Sequence, residues 1–353
     1  MSFSITSSES FRSRARTYVV AAIAMASAEF VATMAANVLI DPQGVFGTDL
    51  FNPVMAPNVR YLAAQAYEAA PDRYDGVLFA SSRGEAFDRE LLAGRLGVRA
   101  VADFSVPDGL MTDHLPTLEF LLRDKAARGL RLTAAFLLLD ADLFGTQPWT
   151  DNNIDSFLPP EISGESRWRF WWRYLTVFQF TNWRRYIDRA LANRAANAHG
   201  AQRSGPKLAA AGFMAIQPRE DAAGRPSPVV KSSIQEAAGP RIRPDLAHQL
   251  GLFARFVALC RENQIRLVVA FSPLNRQNEY AGDAQAPDNE RVVGAIARIT
   301  PVWDFGRPAW LSDRRELWYN AFHYNRAVGN MMLQRIFGED TAAPADFGQL
   351  KSR

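Results

Sequence analysis

The chain holds one cysteine, Cys260, and 4 histidines. No disulfide can form within it, which excludes a disulfide-stapled small domain and leaves the redox compartment open. Cys260 lies in an apolar helical pattern with Leu252, Phe253, Phe256 and Val257 and reads as a buried thiol, not a nucleophile. Charge of one sign is also lacking: 40 Lys and Arg against 37 Asp and Glu leave +3, too little and too evenly spread to imply nucleic acid as a partner. The scattered histidines show no metal-ligand spacing, and Arg83-Gly84 is too short for a phosphate-cradling loop. Neither a metal nor another cofactor is therefore expected. What is abundant is apolar: 48% hydrophobic residues over 353 suffice for a full core and exclude global disorder.

One long run lacks Lys and Arg. It spans 18–40, follows Arg12, Arg14 and Arg16, and exceeds the ~20 helical residues a bilayer takes. Arginines on its N-terminal side keep that end in the cytoplasm and put the remainder outside. The run is alanine-rich, and Glu29 inside it would cost roughly 2–4 kcal/mol if charged in lipid. Ala26-Ser27-Ala28 is a small-residue cleavage pattern. The run is thus an uncleaved single-pass anchor, a cleaved signal peptide, or the buried helix of a soluble protein. The first two send the main domain out of the cytoplasm.

Beyond the linker 41–44, short apolar runs at 76–80, 99–104, 132–139, 265–271 and 301–305 read as buried strands. Helical spacing fills 83–96, 113–128, 244–263 and 289–299 between them, and a last helix is expected over 326–337. Alternating strands and helices predict an α/β fold, a doubly wound, mostly parallel five-stranded sheet. The α/β domain would occupy 41–340, with 1–16 in the cytoplasm, 17–40 as anchor or signal segment and 341–353 as a flexible tail. Two stretches interrupt the alternation. Residues 167–194 read as one long helix in which tryptophans and arginines interleave, suited to a membrane interface or a partner's groove, or else to core packing with a solvated arginine face. Residues 195–243 are rich in Ala, Gly, Pro and Ser without apolar periodicity and read as a mobile insertion.

Ligands of such sheets lie beyond the C-terminal strand ends, so chemistry is sought after 80, 104, 139, 271 and 305. Ser82, in Ala80-Ser81-Ser82-Arg83-Gly84, stands at the first of these ends. There it is either a nucleophile, with its amide at a helix start to hold an oxyanion, or part of a helix N-cap. A serine nucleophile needs a base. His199 falls in the insertion, His248 among leucines one turn into a helix, and His114 at a helix start after Asp113. His323, in Phe322-His323-Tyr324-Asn325 between the last strand and the last helix, is on the same sheet edge as Ser82.

These elements, with the Ala-Ser-Ser-Arg turn, the loop Phe104-Ser105-Val106-Pro107-Asp108-Gly109, the strand end Phe271-Ser272-Pro273 and the His323-Tyr324 loop, resemble membrane-anchored bacterial SGNH/GDSL hydrolase-like proteins. The D-alanyl transfer and alginate O-acetylation proteins belong to that group. The similarity spans about 39–337 apart from the insertion and implies an SGNH hydrolase-like sheet of flavodoxin-like strand order. It also implies the bacterial inner membrane, with the main domain in the periplasm or outside the cell. Position by position, it makes Ser82 the nucleophile and His323 its base, Ser81 and Arg83 supporting residues, and Gly109 an oxyanion amide. An oxyanion asparagine of the family falls within Asp140-Ala141-Asp142, where Asp142 cannot donate when ionised. The aspartate that usually precedes the histidine by three is Asn320 here, which orients a ring but lends no charge; Asp304 or Asp313 is then the alternative orienting acid. The implied activity is a serine esterase or O-acyltransferase acting on an acylated cell-surface glycan or glycolipid, with a membrane-bound acyltransferase as partner. The alternative is a catalytically silent binding or scaffold subunit of a polysaccharide modification or export complex, which Asn320 and Asp142 favour.

Overall fold

The computed structural model describes residues 6–48, 57–140, 157–178, 183, 184, 187, 188, 191, 246–275, 286–306, 309–319, 323–341 and 343–352. Asn320, Asp142, His199 and the whole of 195–243, the region expected to be an insertion, lie outside them; so does the start of the helix expected over 244–263. The chain forms two compact units, one of 1–58 with 165–205 and one of 59–164 with 206–353.

The first unit is built on α1, Thr6–Ile40. Within it Arg12–Ile40 is long and apolar enough to cross a membrane, its apolar 18-residue window having a mean hydropathy of 1.8, and few of its side chains are buried. That exposure removes the reading of 18–40 as a buried core helix. α6, Arg167–Thr176, packs on the end of α1. The helix expected over 167–194 is interrupted here, helical residues recurring at 183, 184, 187, 188 and 191, and at the break Asn37 of α1 donates its side-chain amide to the carbonyls of Leu175 (2.9 Å) and Val177 (2.8 Å). Those carbonyls are the orphans of a helix end, and their capture lets Val177 turn to an extended conformation.

The second unit is α/β. β1 (Gly76–Ala80), β2 (Val101–Ser105), β3 (Ala134–Leu139), β4 (Arg266–Phe271), β5 (Val302–Asp304) and β6 (Gln349–Lys351) form one sheet in the order β2-β1-β3-β4-β5-β6. The first five are parallel, and β6 pairs antiparallel with β5 at the edge. The sheet therefore has six strands, not five, and 341–353 is no flexible tail: Leu350 lies opposite Trp303, and Lys351 reaches Asp304 at 2.6 Å.

Period-two alternation sends Val77, Phe79 and Leu137 to one face of the sheet, against α4 (Met111–Ala127) and α7 (Leu246–Glu262). Leu78, Phe136 and Leu138 go to the other, against α3 (Arg89–Leu96) and α10 (Arg326–Ile336). Both faces are covered, so β1 and β3 are buried at every position, and each large apolar side chain contributes roughly 1.5–3 kcal/mol. Cys260 of α7 belongs to the first face, and burial pushes its thiol up to about 12. The helix expected over 83–96 is broken in two. A 3-10 turn, Ser82–Ala86, comes first, and Asp88 then caps α3 by accepting from the amides of Glu90 (3.0 Å) and Leu91 (3.1 Å).

Candidate active site

Ser81 ends β1 in an extended conformation and caps the 3-10 turn, its hydroxyl accepting from the amide of Arg83 at 3.2 Å. The same hydroxyl donates to a carboxylate oxygen of Asp140, which follows β3. Asp140 also faces Arg83, whose Nη1 lies 2.8 Å from Oδ1, and both side chains are buried. Ser81, Arg83 and Asp140 thus lock the turn from below. Ser82 is the first residue of that turn, where an amide has no carbonyl of its own helix to bond.

Glycine makes this turn possible. A Cβ on Gly84 would lie 2.1 Å from Ser105 Oγ and 2.8 Å from Ala80 Cβ. On the opposite side, a Cβ on Gly329 of α10 would lie 2.1 Å from the carbonyl oxygen of Ala86. The turn is wedged between the end of β2 and α10, and only bare backbone fits.

α10 carries the second half of the site at its start. Asn325 caps it, accepting from Ala327 N at 3.0 Å and donating to Glu316 O at 2.9 Å. The preceding residues are pinned by an antiparallel bridge between Trp318 and Tyr324, whose rings meet edge to face. Trp318 Nε1 donates to Leu311 O at 2.8 Å, the Tyr324 and Ser272 hydroxyls lie 3.1 Å apart, and Tyr319 N donates to His323 O at 2.8 Å. His323 is presented from this closed loop, and its Nε2 stands 2.8 Å from Ser82 Oγ. The two residues are 241 positions apart.

Burial, with the Arg83 charge adding to it against Asp140, pushes His323 down from 6.5 to about 4. Its imidazole is neutral at pH 7, so Nε2 can accept the Ser82 proton when Nδ1 carries the hydrogen. The pair is therefore arranged for nucleophilic attack with base assistance.

No family model matches this chain, and no curated protein matches it either. The chemistry rests on the residues themselves.

Several expected roles are differently filled. Gly109 N donates to Val106 O at 2.9 Å, inside a turn that has Pro107 second and Asp108, at φ 51°, third, as in a type II turn. Its amide is spent there, which corrects its assignment as an oxyanion donor. That loop is clamped by Arg60, which pairs with buried Asp113 through Nε at 2.6 Å and Nη2 at 3.1 Å. Asp113 in turn accepts from Leu110 N at 2.9 Å. Asp304 does not serve His323: one oxygen accepts from Gly306 N at 3.0 Å and the other pairs with Lys351. Asp313 is exposed beyond α9, Ala309–Ser312. His248 is exposed on α7, while His114 is buried beside the ring of Phe79 and burial pushes it down to about 4.

Asp140 is the functional residue that the sequence reading passed over in favour of Asp142. The signal was present, because Asp140 is the first residue past β3, on the edge where ligands bind. Arg60 gave no signal, since it acts through its tertiary contact with Asp113, and the motifs holding Ser272 and Tyr324 did not foretell that their hydroxyls meet. Among the described residues no cluster of His, Cys, Asp and Glu could hold a metal ion.

Proposed function

We propose that this protein is a serine esterase or O-acyltransferase of the SGNH type, held by α1 in a bacterial inner membrane with its α/β unit outside the cytoplasm. The observation that carries the reading is the 2.8 Å approach of Ser82 Oγ to His323 Nε2 at the C-terminal edge of the sheet. Ser82 Oγ attacks the ester carbonyl carbon while its proton passes to Nε2, and the carbonyl electron pair moves to oxygen. The Ser82 amide faces that oxyanion. Collapse of the adduct expels the alcohol, which takes the proton back from Nε2, and leaves the acyl group on Ser82. A sugar hydroxyl or water then attacks, again deprotonated by His323, and releases Ser82. On this reading the substrate is an acylated cell-surface glycan or glycolipid, and a membrane-bound acyltransferase is the partner.

A second reading, a silent binding or scaffold subunit of a polysaccharide modification complex, is favoured by the commitment of Gly109 N to Val106 O. Turnover of an aryl acetate decides between them. Wild-type activity that disappears in both Ser82→Ala and His323→Ala supports the enzyme; activity equal in all three proteins, or absent from each, refutes it.

A further inference from the structure

α6 has two apolar faces, one buried in the protein and one largely exposed. Phe170 and Tyr174, four residues apart, are buried. Their rings pack together, and the Tyr174 hydroxyl accepts from Asn58 Nδ2 at 2.6 Å. Trp168 and Trp172, also four apart, form a second stripe, with ring centroids 5.3 Å apart, and they are 66% and 40% exposed. Arg167 and Arg169 are exposed next to this stripe; Arg169 lies 3.7 Å from Glu165, and Arg173 holds the same carboxylate more closely, at 2.6 Å.

Trp172 meets α1 through Phe30, with ring centroids 6.1 Å apart. Along α1, every position over 12–32 except Ala15 is exposed, and buried positions begin only at Thr33 and Asn37. Beyond Arg16 the exposed stretch is 17–32, about 24 Å long at about 1.5 Å rise per residue, which is most of the ~30 Å of a bilayer's hydrocarbon core. Phe30 and the tryptophan pair mark its upper end. The exposed apolar surface of α1 thus continues without a break onto the tryptophan face of α6. Tryptophan combines an apolar body with an N–H for the wet side, and arginines there meet lipid phosphates.

We infer that α6 is a membrane-surface helix: Trp168 and Trp172 enter the headgroup and acyl boundary of the bilayer that α1 crosses, and the adjacent arginines contact anionic lipid phosphates. The inference rests on the reading of α1 as a membrane span, and the test separates the two. Full-length protein is reconstituted in vesicles of phosphatidylcholine with phosphatidylglycerol, with and without bromine on the acyl chains. Because the chain has 8 tryptophans, emission of the pair is taken as wild type minus Trp168→Phe/Trp172→Phe. Brominated lipid should remove about half or more of that difference, with aqueous iodide removing little. Arg169→Glu, an exposed change that leaves the tryptophans in place, should abolish the dependence of quenching on phosphatidylglycerol. Emission of the pair that iodide quenches and bromine does not would overturn the inference. Shielding from both quenchers, as by a protein partner or second copy, would overturn it too. Resistance to alkaline carbonate extraction reads α1 separately: retained protein without bromine quenching sinks only the α6 inference, whereas extracted protein sinks the membrane span itself.

Discussion

The acid limb of the Ser82 reaction is the most quantitative consequence of the site. His323 acts as a base only when neutral, and its folded value is pushed from 6.5 to about 4, first by burial and then by Arg83. Protonating it in place therefore costs roughly 3 kcal/mol more than in water. At pH 5 about nine-tenths of the molecules keep a neutral imidazole, where an unperturbed histidine would keep about 3%. The same shift makes stability pH-dependent: above 6.5 both folded and unfolded His323 are neutral and stability is full, and it falls by roughly 3 kcal/mol as pH drops from 6.5 through about 4, because the unfolded chain takes up the proton first. The assay is the rate of fluorophosphonate labelling between pH 3.5 and 8, with folding followed by circular dichroism. Wild type should label at a nearly constant rate down to about pH 5 and fall by half near 4. Arg83→Met removes a charge that lowers the histidine and leaves Asp140, which raises it, so the limb should move toward 6.5. Arg83→Met combined with Asp140→Asn removes both charges but not the burial, and its limb should return toward that of wild type. The double variant also keeps the test valid if the single one unfolds, since an unpaired buried Asp140 costs about 3–5 kcal/mol. A wild-type limb near 6.5, or equal shifts in the single and double variants, would refute the reasoning.

Other consequences follow from packing and topology. Gly329→Ala places a methyl group against the Ala86 carbonyl and should drive α10 off the turn that carries Ser82, lowering labelling about a hundredfold; unchanged labelling would show that the wedge is unimportant. Asp304→Asn breaks only the contacts at the β5 end, so labelling should stay within about twofold of wild type, and a loss as large as that of His323→Ala would make Asp304 the orienting acid after all. Alkaline phosphatase fused after Arg353 should be active in a bacterial host if α1 carries the α/β unit out of the cytoplasm; an inactive fusion in membranes that retain the protein would reverse the orientation.

Much of the framework was legible because a covered parallel sheet demands long apolar runs. Gly76–Ala80 and Ala134–Leu139 are such runs, buried at every position. β6 gave no such signal: Gln349-Leu350-Lys351 is a three-residue edge strand with a solvated face, and its pairing with β5 is a tertiary event. The contact of Ser82 with His323 was legible through scarcity, since 4 histidines leave few partners to weigh and His114, His199 and His248 each had another reading. The surroundings of the pair were not. Whether Gly109 N points at a substrate or closes a turn depends on the backbone angle of Asp108, and no residue pattern encodes that reliably when the left-handed position is not glycine. The aromatic stretch after Arg167 kept a helical period past Thr176, and helical residues do recur from Trp183, but the break at Val177, where Asn37 from more than a hundred residues earlier takes the carbonyls, left no mark in the pattern.

The central claim is that Ser82 is an activated nucleophile, and covalent capture tests it most directly. Full-length protein is treated with a fluorophosphonate at pH 7, digested, and the adduct located by tandem mass spectrometry. The account predicts one phosphonylated residue, Ser82, with no adduct in Ser82→Ala and slower capture in Ser81→Ala, where the hydroxyl linking Arg83 N to Asp140 is lost. Folded wild-type protein that forms no adduct, or an adduct that persists in Ser82→Ala, would contradict it.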